Sequence, residues 1–289
     1  MLAPAPHSRG TARPARPLPA LACDAHMHIF DPRFAASPHW TRQPPNAPVA
    51  AYRLLQERLG TSRAVVVTPS TYGSNNSCML DALAQLGDRA RGVAVVGADV
   101  SEAQLEELVR QGVRGLRVNF VTPQFWGSTT PAMLATLAAK AAALGLHIQV
   151  FASPQQLLEL EPLLTRLPAP LVIDHMGHFD PAEGAQAPAF RVLERLLASG
   201  KTWVKLSGAY MRSAVGHPSY ADVVPLGQAL VQAAPSRLIW GSDWPHTTQP
   251  QDTVDDAALV DLLASWCEDD AATMARILVD NAQALYGFS

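Results

Sequence analysis

The chain is organised by alternation. Short runs rich in β-branched and apolar residues recur at Leu21–His26, Arg63–Thr68, Gly92–Val96, Val113–Val118, His147–Phe151, Leu171–His175, Trp203–Leu206 and Arg237–Gly241. Segments of helical periodicity lie between most of them. Their ends carry helix punctuation. Ser101 stands three places before Gln104 in a capping-box pattern that closes at Gly112, Ser153 precedes Pro154 at a first helical position, and Gly200 stops the run that begins near Ala187. Strands spaced at roughly 30-residue intervals with helical crossovers are parallel neighbours. A doubly wound sheet is the competing solution, but no glycine-rich dinucleotide or phosphate loop follows the first strand. The expectation is a single-domain α/β fold, a (β/α)8 TIM barrel over residues 21–289, preceded by a flexible arm at residues 1–20.

Composition narrows the function. Apolar residues make up 48% of the 289 and charged residues 16%, which suits a globule with a large core. A net charge of −3 with no basic run excludes nucleic acid and anionic membrane surfaces as expected partners. No apolar run reaches the roughly 20 residues of a membrane helix, and the Pro- and Arg-bearing first twenty residues lack a secretory core. Cys23, Cys78 and Cys267 fit neither a zinc knuckle nor a disulfide framework, so a reducing cytoplasm is expected and homo-oligomers stay open. The segment from Phe30 to Ala50 is long, Pro-rich and non-periodic, a pattern that marks a lid over a site more often than a linker.

Chemistry in such a barrel sits where the strands end. The first strand closes on CDAHMH, and His26 and His28, two residues apart, leave the same strand face. The sixth run, VIDHMG, delivers His175 to the same rim, and the eighth, LIWGSDWPH, delivers Asp243 with Trp244 and His246 beyond it. One HxH pair is common by chance. Three rim imidazoles and a rim carboxylate from three separate strands are not readily explained as satisfied core polar groups.

The pieces DAHMHIFDP, GVRGLRVNF, LVIDHMG, WVKLSG, LIWGSDWPH and NAQALYGF, in that order over nearly the whole chain after residue 20, resemble the amidohydrolase superfamily in its amidohydrolase 2 branch. Within that branch the chain is most similar to lactone hydrolases acting on carboxylated rings, such as 2-pyrone-4,6-dicarboxylate lactonase. Sugar-acid lactonases and galactarolactone isomerase stand nearby. The resemblance implies a hydrolase that opens a small carboxylated lactone. In it Asp243 takes the proton of the attacking water, and His26, His28 and His175 orient that water or polarise the carbonyl. Arg117 implies a carboxylate contact, suited to its planar guanidinium fork, and Ser70 and Asn76 imply further substrate hydrogen bonds. Arg212 and His246 are further substrate-binding candidates, and Lys205 is placed to reach the mouth or to partner Asp243.

Departures from the superfamily pattern limit the metal. The fourth strand ends in Arg117 and Asn119 where many members carry a bridging lysine, and the fifth reads HIQVFA, without a rim histidine. The expected cofactor is therefore none or one divalent ion, zinc foremost, on His26, His28 and Asp243. Phe151 stands where the pyrone lactonases carry a tyrosine, which weakens the case for a pyrone dicarboxylate itself. Alternatives are a metal-dependent decarboxylase or a lactone isomerase of the same superfamily, and a barrel that binds a small acid without turning it over.

Overall fold

Each apolar run becomes one strand of an eight-stranded parallel sheet in sequential order, from β1 to β8, in the computed structural model. The structure describes residues 3–124 and 127–289. The strands are β1 (Cys23–Met27), β2 (Arg63–Val67), β3 (Ala90–Ala94), β4 (Val113–Asn119), β5 (His147–Phe151), β6 (Leu171–Ile173), β7 (Thr202–Leu206) and β8 (Leu238–Trp240). The main helices are α1 (Val49–Leu59), α2 (Ser77–Leu86), α3 (Glu102–Arg110), α4 (Pro131–Ala143), α5 (Pro154–Leu164), α6 (Pro188–Ala198), α7 (Val224–Ala233) and α8 (Asp256–Trp266). Reciprocal capping boxes at Ser101/Gln104 and Ser153/Gln156 start α3 and α5, as the sequence predicts.

The two ends of the sheet meet at the mouth. Asp243 N donates to His26 O at 2.7 Å and His28 N donates to Trp244 O at 2.8 Å, so the segment after β8 lies against β1. Gly241 permits this approach, because a Cβ there would sit 2.7 Å from the His26 backbone nitrogen. At the opposite end the C-terminal NAQALYGF segment plugs the barrel. Asn281 Nδ2 donates to Leu238 O at 2.7 Å, while Tyr286 and Phe288 are buried against Cys23, Val65, Val93 and Ile239.

Two details differ from the sequence expectation. The sixth and eighth strands end earlier, so His175 and Asp243 lie just past them on left-handed backbone, with φ of 48° and 61°. The N-terminal arm, expected to be loose, lies on the barrel, with Ala5, His7 and Ser8 buried. The cause is Arg58, a guanidinium 1% exposed that needs acceptors. It finds Ala12 O at 2.7 Å, Arg9 O at 2.9 Å and Ser8 Oγ at 3.0 Å in the arm, and Asp255 Oδ1 at 2.5 Å.

Candidate active site

The mouth holds a cavity of about 350 Å3 whose walls include His28, Arg117, Phe151, His175 and Asp243. Asp243 stands at its centre of charge. Its Oδ2 accepts a 2.5 Å hydrogen bond from the Tyr210 hydroxyl, and its Oδ1 lies 3.3 Å from His28 Nε2 and 3.5 Å from His26 Nε2. Burial pushes the Asp243 carboxyl up, but His175, His28 and His26 outweigh it and hold the group well below the usual carboxylate range. The base is therefore ionised. Tyr210, buried beside that carboxylate, has its hydroxyl pushed far above the normal phenol value and remains a donor.

The histidines are oriented by what their other nitrogens bond. His28 Nδ1 is 2.8 Å from Val67 O, so Nδ1 carries the proton and donates. Its Nε2 lone pair then faces a carboxylate oxygen across 3.3 Å. His175 Nδ1 is 2.9 Å from Ser207 Oγ, which turns the rest of the ring to the cavity. Gly208 next to it, at φ 67°, leaves room that a side chain would deny, since a Cβ would lie 2.9 Å from His175 Nδ1. Burial lowers the pKa of both His26 and His175, reinforced at His26 by Lys205.

Beneath them lies a charge cluster that the sequence reading passed over. Asp174, fully buried, accepts from Arg117 Nε at 3.2 Å and from Gln149 Nε2 at 3.0 Å through Oδ2. Its Oδ1 lies 3.4 Å from His26 Nδ1 and 4.0 Å from Lys205 Nζ. Burial raises the Asp174 pKa, but His26, Arg117 and Lys205 override it and keep the group ionised. The signal was present in VIDHMG, where an acid ends an apolar strand. Lys205 reaches His26 Nδ1 at 3.3 Å and not Asp243, and burial lowers its pKa to about 8.

The other predicted residues divide. Ser70 lines the cavity and accepts from Gln124 Nε2 at 3.2 Å. Asn76 does not line it. Its amide is spent on Thr68 Oγ1, Val95 N and Val95 O, so it braces the loop after β2. Arg212 is exposed, pairs with Asp180 at 3.3 Å and is not among the residues lining the cavity. His246 bonds Asp256 Oδ2 at 3.1 Å and borders a neighbouring cavity. The Pro-rich segment is pinned at its ends by paired bonds between Phe30 and Ala47, and it places Trp40 and Arg42 in the cavity wall.

Among the described residues, two donor sets are compact enough for a metal ion, His26–His28–Asp243 and His26–Asp174–His175. They share His26. The Asp174 set is already neutralised by Arg117 and Lys205, with Gln149 donating a further hydrogen bond. The Asp243 set fits one ion better, since His26 Nε2 is buried without a partner and His28 Nε2 faces a carboxylate.

A family model for amidohydrolases matches residues 23–288. The chain belongs to the amidohydrolase family. It is 35% identical to the 2-pyrone-4,6-dicarboxylate hydrolase of Comamonas testosteroni over 95% of this chain and 94% of that one. Identity to the 4-sulfomuconolactone hydrolase of Rhizobium radiobacter is 34%, over 93% and 91%. To the D-galactarolactone isomerase of Agrobacterium fabrum it is 30%, over 97% and 95%. A probable 2-pyrone-4,6-dicarboxylic acid hydrolase of Acinetobacter baumannii, solved with citric acid bound, superposes with a TM-score of 0.79 at 28% identity, over 93% of this amidohydrolase and 100% of that chain.

Proposed function

We propose that this amidohydrolase opens a small carboxylated lactone by water attack. The observation that carries the reading is the Asp243 carboxylate, with one oxygen fixed by Tyr210 and the other turned toward His26 and His28 in a cavity that also holds Arg117. The ionised Asp243 accepts the proton of a water held between its Oδ1 and the imidazoles, and the water oxygen attacks the lactone carbonyl. Charge collects on the carbonyl oxygen, where an imidazole N–H at the rim stabilises it. When the tetrahedral species collapses, the ring C–O bond breaks and the proton on Asp243 passes to the departing alkoxide. A hydroxy acid is the product. Arg117 meets the substrate's carboxylate while its Nε stays on Asp174, so binding charge and structural charge share one guanidinium. A single divalent ion on His26, His28 and Asp243 would supply Lewis-acid polarisation and a more acidic water.

Support comes from the named activities of three relatives, all of them on lactones. Isomerisation of a lactone is the second reading, favoured by the galactarolactone isomerase likeness. A cytoplasmic setting belongs to the same proposal, supported by three buried free thiols; no helix among the described residues is long and apolar enough to cross a membrane. The test is a screen of carboxylated lactones with a pH indicator, since hydrolysis releases acid and isomerisation does not. Asp243→Asn should cut turnover at least about a hundredfold in a folded protein, the scale of a lost general base. Near-normal turnover in that variant removes Asp243 from the mechanism.

A further inference from the structure

A second cavity, of about 330 Å3, lies beside the first and is bounded by His7, Gln43, Gln251 and His246. Trp40, Arg42, Thr71, Thr247 and Gln249 border both. The second cavity nearly doubles the space at the mouth.

The chemistry of this second chamber is one-sided. Its described lining includes amides, two hydroxyls, imidazoles and one guanidinium, but no carboxylate. Arg42 stacks over the Trp40 ring at 4.7 Å and makes no ion pair among the described residues. Stacking orders a long side chain in advance and leaves its N–H fork unspent. Trp40 Nε1 is buried without an acceptor, and Nδ1 of His246, whose Nε2 donates to Asp256, is buried without a hydrogen-bond partner. His246 is 3% exposed. Buried polar atoms without partners are uncommon in folded proteins, and here a donor and a ring nitrogen lie about one cavity beside Arg42, an exposed cation with no ion pair among the described residues. The arm is part of the arrangement. His7 is fixed by Asn46 O at 2.9 Å and lies edge-on to Trp244, which itself donates to Pro6 O.

We propose that this chamber is a second subsite of the lactone hydrolase, taking an acid-terminated arm carried on the lactone ring. The inference rests on the lactone-hydrolase reading. Arg42 takes the arm's carboxylate, Trp40 lies along its chain, and the ring stays beside Asp243. The substrate is then a lactone with a flexible acidic side chain, not a flat ring alone.

The test uses two non-hydrolysable lactams of the same ring carboxylate, one bare and one with an acid-terminated side chain. Their affinities are measured by calorimetry on the full chain, on Arg42→Gln and on Gln251→Trp, which fills the second chamber alone. Thermal melts confirm that each variant is folded. The wild type should bind the armed lactam at least about tenfold more tightly, as expected of one charge-assisted contact. Either variant should bring the ratio of the two affinities close to one. Equal affinities in the wild type, or a ratio that survives both variants, overturn the subsite alone. Binding of neither lactam overturns the subsite together with the lactone reading beneath it.

Discussion

Asp243 and His175 are held on left-handed backbone that side-chain-bearing residues adopt at a cost of order 1–3 kcal/mol. That cost is accepted where it aims a carboxylate and an imidazole inward from the ends of two strands. Tyr210 completes the aim by fixing Asp243 Oδ2. Tyr210→Phe should therefore lower kcat about tenfold while KM stays within about twofold, because the carboxylate is misdirected and substrate contacts are kept. A matching rise in KM would assign Tyr210 to substrate binding instead. The same cluster sets the metal content. Arg117 and Lys205 already neutralise Asp174, so a second dication would meet two fixed positive charges. Elemental analysis should find no more than one equivalent per chain. Two equivalents, with activity lost on chelation, would place the chain with binuclear hydrolases.

At the scale of elements, the strands and most helix starts were legible because alternation and capping are local. The Ser101 and Ser153 boxes form as their spacing indicates. His26, His28, His175 and Asp243 were legible for a related reason, since each falls at or just past the end of an apolar run. What stayed hidden depends on tertiary packing. Asp174 goes unremarked in the sequence, and its role emerges only where Arg117 and Gln149 converge on it from β4 and β5. Asn76 reads as a substrate contact until its amide is seen bracing Val95. The arm reads as loose because only the fold buries Arg58 beneath it. Closure of the barrel rests on Gly241, and its substitution tests that step. Gly241→Ala puts a methyl group 2.6 Å from His26 Cβ and 2.7 Å from its backbone nitrogen. It should destabilise the protein by about 1–3 kcal/mol, as overpacking of a tight site does. Urea unfolding measures that loss, and an unchanged midpoint would show that the β8–β1 seam has slack.

For the molecule as a whole, the barrel interior carries a titratable group that takes no part in the proposed chemistry, and its effect appears in stability. His147 is 2% exposed, lies edge-on to Tyr286 at 5.3 Å, and has no hydrogen-bond partner on either ring nitrogen among the described residues. Burial, reinforced by Lys205, lowers its pKa from 6.5 to about 3. The unfolded chain therefore binds a proton that the folded chain refuses between those limits. Stability from this group is complete above pH 6.5 and is lost as pH falls toward 3. Between pH 7 and pH 5 the loss amounts to about 2 kcal/mol. Asp24 works the other way, because burial raises its carboxyl to about 6 and the folded state takes up a proton over part of the same range. Asp174 and Asp243, both depressed, lose their stabilising effect only as pH falls below the usual carboxylate value near 4. These opposing contributions are common to the wild type and to His147→Gln, so the difference between the two proteins isolates His147. The variant should be less sensitive to acid, its urea-derived stability falling by about 2 kcal/mol less than the wild type's from pH 7 to pH 5. Parallel losses in the two proteins would mean that the folded barrel protonates His147 as readily as water does.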